Sequence, residues 1–147
     1  VFFCIMKKSW LKHKMPLTRS KRHQVKHKGR KRSPTYWRKK CVSWAKLEAK
    51  KRDNHICQKC RKKVEGMNAH GSHIYNEGTY KSMSADIDNI LTFCYFCHIN
   101  WWHKNPIEAS EWFKNKFPEL YIVLRKRSQN IVTINWEQKY KEIIAKC

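Results

Sequence analysis

The chain has few of the residues that punctuate a fold and few that would balance its charge. It has four glycines and four prolines in 147 residues, and 11 acidic side chains against 33 lysines and arginines. So little Gly and Pro excludes collagen-like and Pro-rich linker architectures, and forces some tight turns onto other residue types. No apolar run approaches the ~20 residues that a bilayer-spanning helix needs. The opening VFFCIM is too short for the core of a secretion signal, and Lys7 and Lys8 follow it instead of preceding it. Met6 and Met15 are alternative start positions. The length allows one compact domain plus tails.

The shortage of acid is not uniform. Residues 1–63 hold 23 of the 33 basic side chains with only Glu48 and Asp53 beside them, whereas residues 64–147 carry 10 basic and 9 acidic groups. A run such as SKRHQVKHKGRKRSPTYWRKK has too little apolar surface to offset its chain entropy, so residues 1–33 read as a basic, flexible arm. The plain interpretation is a solvated tail. The functional one is an arm that neutralises phosphates and releases counterions. Arg30, Lys31, Arg32, Arg38, Lys39, Lys40, Lys50, Lys51 and Arg52 are the candidate phosphate contacts, with Trp37 for stacking. An acidic membrane fits less well, because the run has no sustained amphipathic face.

Residues 34–54 read as a basic helix: Ser33 is placed to cap, Pro34 to open the first turn, and Trp37, Cys41, Trp44 and Leu47 form an apolar stripe. NPIEASEWFKNKF reads as a short helix capped by Asn105, and LYIVL (120–124) as a strand or buried turn. Residues 119–147 form an extension ending in a helix, with Asn135 and Gln138 at capping-box spacing.

Seven cysteines do not pair evenly: Cys57-x2-Cys60 and Cys94-x2-Cys97 form two knuckles, while Cys4, Cys41 and Cys147 stand alone. Two CxxC pairs in a reducing compartment point to one closed tetrahedral site for a structural Zn²⁺. Between and behind the knuckles lie His73, Asn89 five residues before Cys94, and His98 directly after Cys97. Each taken alone is an ordinary strand, turn or helix-end residue. Together, threaded through a zinc frame, they give the His-Asn-His order of HNH sites. Phosphodiester hydrolysis needs a base for water, and charge against the developing anion and the leaving oxygen. His73 is the expected base, Asn89 the group that orients its ring, and His98 a ligand of a catalytic Mg²⁺ or Mn²⁺. The residue before the base, Ser72, is a poor ligand, which leaves His70 as second ligand. Strand alternation puts His70 and His73 on opposite faces, so a bend at Gly71-Ser72 is expected. Asp86 and Asp88 are the runners-up. His103 is five residues after His98, off the face of an α-helix.

RDNHICQKC, AHGSHIY, DIDNILTFCYFCH and NPIEASEWF together resemble the bacteriophage NinG (Rap) recombination-protein family, and the layout is similar to endonuclease VII-like zinc-knuckle nucleases. The resemblance covers roughly residues 45–118. It implies metal-dependent cleavage of branched DNA such as Holliday junctions and flaps, with His73 as base and His70 as ligand. The family tends to carry Asn after the second CxxC, where this chain has His98.

The expected fold is α+β: a small ββα-metal (HNH, His-Me finger) core over 55–118, stapled by a Cys4 zinc and flanked by helices and the basic arm. The expected activity is DNA hydrolysis, selective for branched recombination intermediates. Its setting is the cytoplasm, that of the host cell if the chain is phage-encoded. A resolvase cuts two strands nearly together, which makes a homodimer the expected assembly, through helix 135–146 or Trp101-Trp102. Two alternatives stand beside it: a general or homing-type HNH nicking enzyme on ordinary duplex, and a zinc-knuckle nucleic-acid-binding protein without catalysis.

Overall fold

Helix α1 (Pro34–Arg52) begins where the sequence places it. Ser33 Oγ accepts from the Tyr36 amide and proline occupies the first turn. The computed structural model describes residues 31–146, so Arg30 and nearly all of the basic arm lie outside the described residues. The chain then runs through the first knuckle to β1 (His70–His73), a loop with two 3₁₀ turns, and β2 (Ile90–Phe93). A π-helix (Cys97–Trp102) follows, then α2 (Pro106–Lys116), α3 (Pro118–Ser128) and α4 (Trp136–Ala145). The result is a small α+β fold around a two-stranded antiparallel sheet.

The sheet separates two cores. Register pairs His70 with Phe93, Gly71 with Thr92, Ser72 with Leu91 and His73 with Ile90. Side chains alternate across a strand, and β2 follows that rule. Ile90 packs with Cys41, Val42, Ala45 and Ala49 of α1 and Ile143 of α4. Leu91 and Phe93 pack instead with Trp101, Ala109, Phe113 and Leu124. The stripe of α1 is therefore rotated from the expected one, and Leu47 is 49 % exposed. Small side chains at 41, 45 and 49 let the helix lie close to the sheet.

The end of α1 is tied to β2 by charge-assisted bonds. Asp53 accepts from Arg52 Nε at 2.9 Å and from the Thr92 amide at 2.8 Å, and Arg52 donates to the carbonyls of Ile87 and Ile90 at 2.9 and 2.6 Å. With few glycines available, Asn54 (φ 52°), His55 (φ 56°) and Arg61 (φ 63°) adopt left-handed backbone around the first knuckle. That costs about 1–2 kcal/mol per non-glycine residue. Turn bonds such as Arg61 N–H to Cys57 O and Val64 N–H to His55 O help hold it.

Two local expectations are corrected. LYIVL lies within α3, where Leu124 is buried and Ile122 and Val123 face outward, a helical and not a strand pattern. Asn105 occupies the capping position of α2 but makes no side-chain cap bond. Its amide points back to the carbonyls of Asn100 and Trp101. Each of the two suggested dimer surfaces has residues that also pack within the chain. Ile143, Trp136 and Tyr140 of α4 pack on α1, and Trp101 is in the core. Asn135 does cap α4, accepting from the Gln138 amide. No helix among the described residues is long and apolar enough to cross a membrane.

Candidate functional site

Two turns bring four sulfurs together. The Sγ atoms of Cys57, Cys60, Cys94 and Cys97 all lie within 4.8 Å of one another. Cys60 and Cys94 are 3.8 Å apart, close to the edge of a tetrahedron whose sulfurs sit ~2.3 Å from a central ion. Burial and the neighbouring thiols hold the Cys97 thiol well above the ordinary thiol range. The donor set fits zinc, with no position left open.

Beside this cluster β1, the loop after it, the π-helix and the helices α2 and α3 enclose a cleft of about 640 Å³, lined by His73, Glu77, His98, His103, Lys46 and Trp102 among others. His73 Nε2 lies 2.8 Å from the Ser84 carbonyl oxygen. A carbonyl only accepts, so Nε2 carries the ring proton and Nδ1 keeps its lone pair. That nitrogen faces Glu77 Oε2 at 3.6 Å. Burial pushes the His73 pKa below its ordinary value, with Lys46 and Arg38 acting the same way. The Ser84 bond and Glu77 oppose the shift.

Asn89 does not orient His73 directly, contrary to the sequence expectation. It is fully buried, its Oδ1 accepts from the Tyr75 amide at 2.8 Å, and its Nδ2 donates to the carbonyls of Tyr75 (3.0 Å) and Met83 (3.1 Å). It staples the two ends of the interstrand loop. The group that holds the ring is the Ser84 carbonyl, next in the chain to one of those tethers. Only tertiary contact could single out Ser84.

The bend anticipated at Gly71-Ser72 is absent, and β1 is paired regularly over all four residues. His70 and His73 therefore do lie on opposite faces. Gly71 is needed for a different reason: a Cβ there would come within 3.0 Å of Lys46 Cγ and 3.3 Å of Ile90 Cγ2. The absence of that Cβ lets the Lys46 stem cross the strand into the cleft.

His70 nevertheless reaches His98, Nδ1 to Nδ1 at 3.0 Å. His103, set aside on α-helical spacing, is also there: its Nε2 is 3.0 Å from His98 Nε2. The π-helix explains this, because its i→i+5 bond from the His103 amide to the His98 carbonyl (3.2 Å) stacks residues five apart. Burial, then His103, His70 and Lys46, push the His98 pKa down to about 4, so its ring is neutral and has a lone pair to donate. Asp86 and Asp88 are outside this group, with both carboxylates on Arg127 at 2.7 and 2.9 Å.

Several of the expected nucleic-acid contacts have partners within the chain. Trp37 packs against Tyr36 and Tyr140 at centroid distances of 5.0 and 5.3 Å. Arg52 is bound to β2, and Arg38 donates to the Glu77 carbonyl at 3.3 Å. Lys50 is half-buried, and Lys51 pairs with Glu48 at 2.7 Å. Lys31, Arg32, Lys39 and Lys40 remain exposed around the start of α1, with Arg32 and Lys40 over the Tyr36 ring at 5.0 and 5.7 Å. Compared with known proteins, the chain matches no family model, and no curated protein or solved structure is similar to it at a significant level.

Proposed function

We propose that the protein is a metal-dependent DNA endonuclease of the ββα-metal (HNH) type, acting on branched DNA. The observation that carries this reading is one cleft lined by both His73 and His98, beside a Cys4 cluster. His73 has the proton-poor nitrogen that a base requires, fixed by the Ser84 carbonyl and kept neutral near pH 7 by burial. It takes the proton of the attacking water at Nδ1. Glu77 Oε2, buried and without a hydrogen-bond partner, stabilises the imidazolium that results. The Lys46 ammonium meets the phosphate's negative charge, and the exposed cations of α1 hold the flanking backbone without reading its sequence. Histidines of the His70-His98-His103 cluster would hold a divalent ion, which would supply positive charge at the scissile phosphate and its leaving oxygen; 5′-phosphate and 3′-hydroxyl ends are the expected products.

The test is cleavage of a labelled four-way junction beside a linear duplex of the same sequence, with Mg²⁺ or Mn²⁺, with EDTA, and with His73→Ala. Metal-dependent cutting of the junction alone, lost in the variant, is the expected result. DNA binding without any cutting refutes the enzyme and leaves a zinc-stapled binding protein. A second reading, nicking of ordinary duplex by a monomer, draws on α4 and Trp101 being packed inside the chain. Equal cutting of both substrates supports it.

A further inference from the structure

The three clustered histidines cannot all bind one ion, because His98 offers a different nitrogen to each neighbour. Its Nδ1 faces His70 and its Nε2 faces His103, both at 3.0 Å. Two imidazole nitrogens this close share either a proton or a cation. The two contacts are not equivalent. The Nε2 pair lies at the exposed end, and both His98 and His103 line the cleft that holds His73. The Nδ1 pair lies behind it, half-buried. His70 faces away from His73 across a regular strand, is not among the residues lining the cleft, and has a buried Nε2 with no partner.

We infer that His98 Nε2 and His103 Nε2, aligned by the π-helix, are the protein ligands of a hexacoordinate divalent cation, and that His70 is a positioning residue that accepts from His98 Nδ1–H. The inference deepens the nuclease reading and rests on it for the purpose of the ion, though the site itself is open to test without DNA. Two nitrogens each ~2.1 Å from one ion and 3.0 Å apart subtend about a right angle there, as adjacent octahedral positions do. Two protein donors leave the remaining positions for water and phosphate oxygens. Imidazole donors favour Mn²⁺, Ni²⁺ or Zn²⁺ over Mg²⁺. His70 completes the pattern in which a ligating histidine donates its other N–H and is thereby fixed in tautomer and orientation.

The tautomer of His98 separates this assignment from the one the sequence suggested. If His98 and His103 bind through Nε2, both rings carry their proton on Nδ1. If His70 and His98 bind through Nδ1, His98 carries its proton on Nε2. The experiment takes the full chain with its Cys4 site zinc-loaded, adds a further equivalent of Zn²⁺ as a diamagnetic probe, and records long-range ¹H–¹⁵N imidazole spectra. Mn²⁺ affinity is measured in parallel by calorimetry without DNA. The expected result is the Nδ1–H tautomer at His98 and His103, with Mn²⁺ affinity lowered at least roughly tenfold in His103→Ala while the Cys4 zinc is retained. An Nε2–H His98 in the loaded protein overturns the assignment. So does Mn²⁺ binding by His103→Ala at wild-type affinity, which leaves the Nε2 pair as a shared proton. A protein that binds Mn²⁺ in the expected way and cuts no DNA overturns the nuclease reading but not the site.

Discussion

Replacing Asn89 with alanine removes three hydrogen bonds at once. It leaves the Met83 carbonyl with one donor in place of two, the Asp86 amide at 3.2 Å, and the amide and carbonyl of Tyr75 half-buried without partners. An orphaned buried group costs about 1–3 kcal/mol, and a group that water partly reaches costs less. Taking about 1 for the bond lost at Met83 and about 0.5 for each Tyr75 group gives a loss of about 2 kcal/mol. That is a large share of the ~5–15 kcal/mol by which small proteins are stable. With a urea slope of ~1.5 kcal/mol per molar, the unfolding midpoint falls by ~1.3 M. Cutting falls as well, because Ser84, whose carbonyl holds His73, is the residue after the lost Met83 tether. Equilibrium urea unfolding followed by tryptophan fluorescence measures the first effect, and single-turnover cleavage below the transition measures the second. A midpoint within ~0.5 M of wild type with cutting abolished would refute this reasoning and return Asn89 to a direct role on His73.

Removing zinc from the four cysteines, by chelation or by Cys57→Ser, should unfold the segment between the knuckles, since the site ties residues 57–60 to 94–97. Circular dichroism with zinc readdition checks this, and an unchanged spectrum of the stripped protein would rule it out. The acid limb of the cleavage profile should lie below the ordinary histidine value of ~6.5, because the proposed base, His73, would work in its neutral form and its pKa is lowered by burial. Activity is lost as pH falls through that depressed value. Lys46→Met removes a lowering charge and should move the limb up, whereas Glu77→Gln removes a raising one and should move it down. Shifts in the same direction would exclude His73 as the titrating base. Gly71→Ala should destabilise the fold by ~1–2 kcal/mol through contact with Lys46 and Ile90. The loss should shrink only in part when Lys46 is also cut to alanine, which removes the Cγ at 3.0 Å but keeps the Cβ at 3.1 Å; fully additive losses in a double-mutant cycle would contradict the Cγ contact.

Local chemistry made several features legible in the sequence. Paired thiols two residues apart need only a turn to reach one ion, so the Cys4 cluster follows from spacing. Caps act within one turn, and Ser33-Pro34 and Asn135 mark helix starts for that reason. The α+β character is likewise expected from the sequence.

Where the expectation failed, the deciding contact was distant in the chain. Trp37 and Arg52 looked like exposed nucleic-acid contacts because their partners, Tyr140 and the Ile87 and Ile90 carbonyls, are far away in sequence. Asn89 was assigned to the histidine ring because its three loop partners have no signature of their own. His103 was set aside because α-helical periodicity was assumed, and one π-turn realigns residues five apart. The sequence alone determined which donors exist, and that the cysteines form one closed set, because those depend on residue type and short spacing. Tertiary structure alone decided which nitrogen of each histidine faces which neighbour, and that Lys46 crosses Gly71 into the cleft. Those depend on how α1, the sheet and the π-helix pack, and no local pattern encodes that packing.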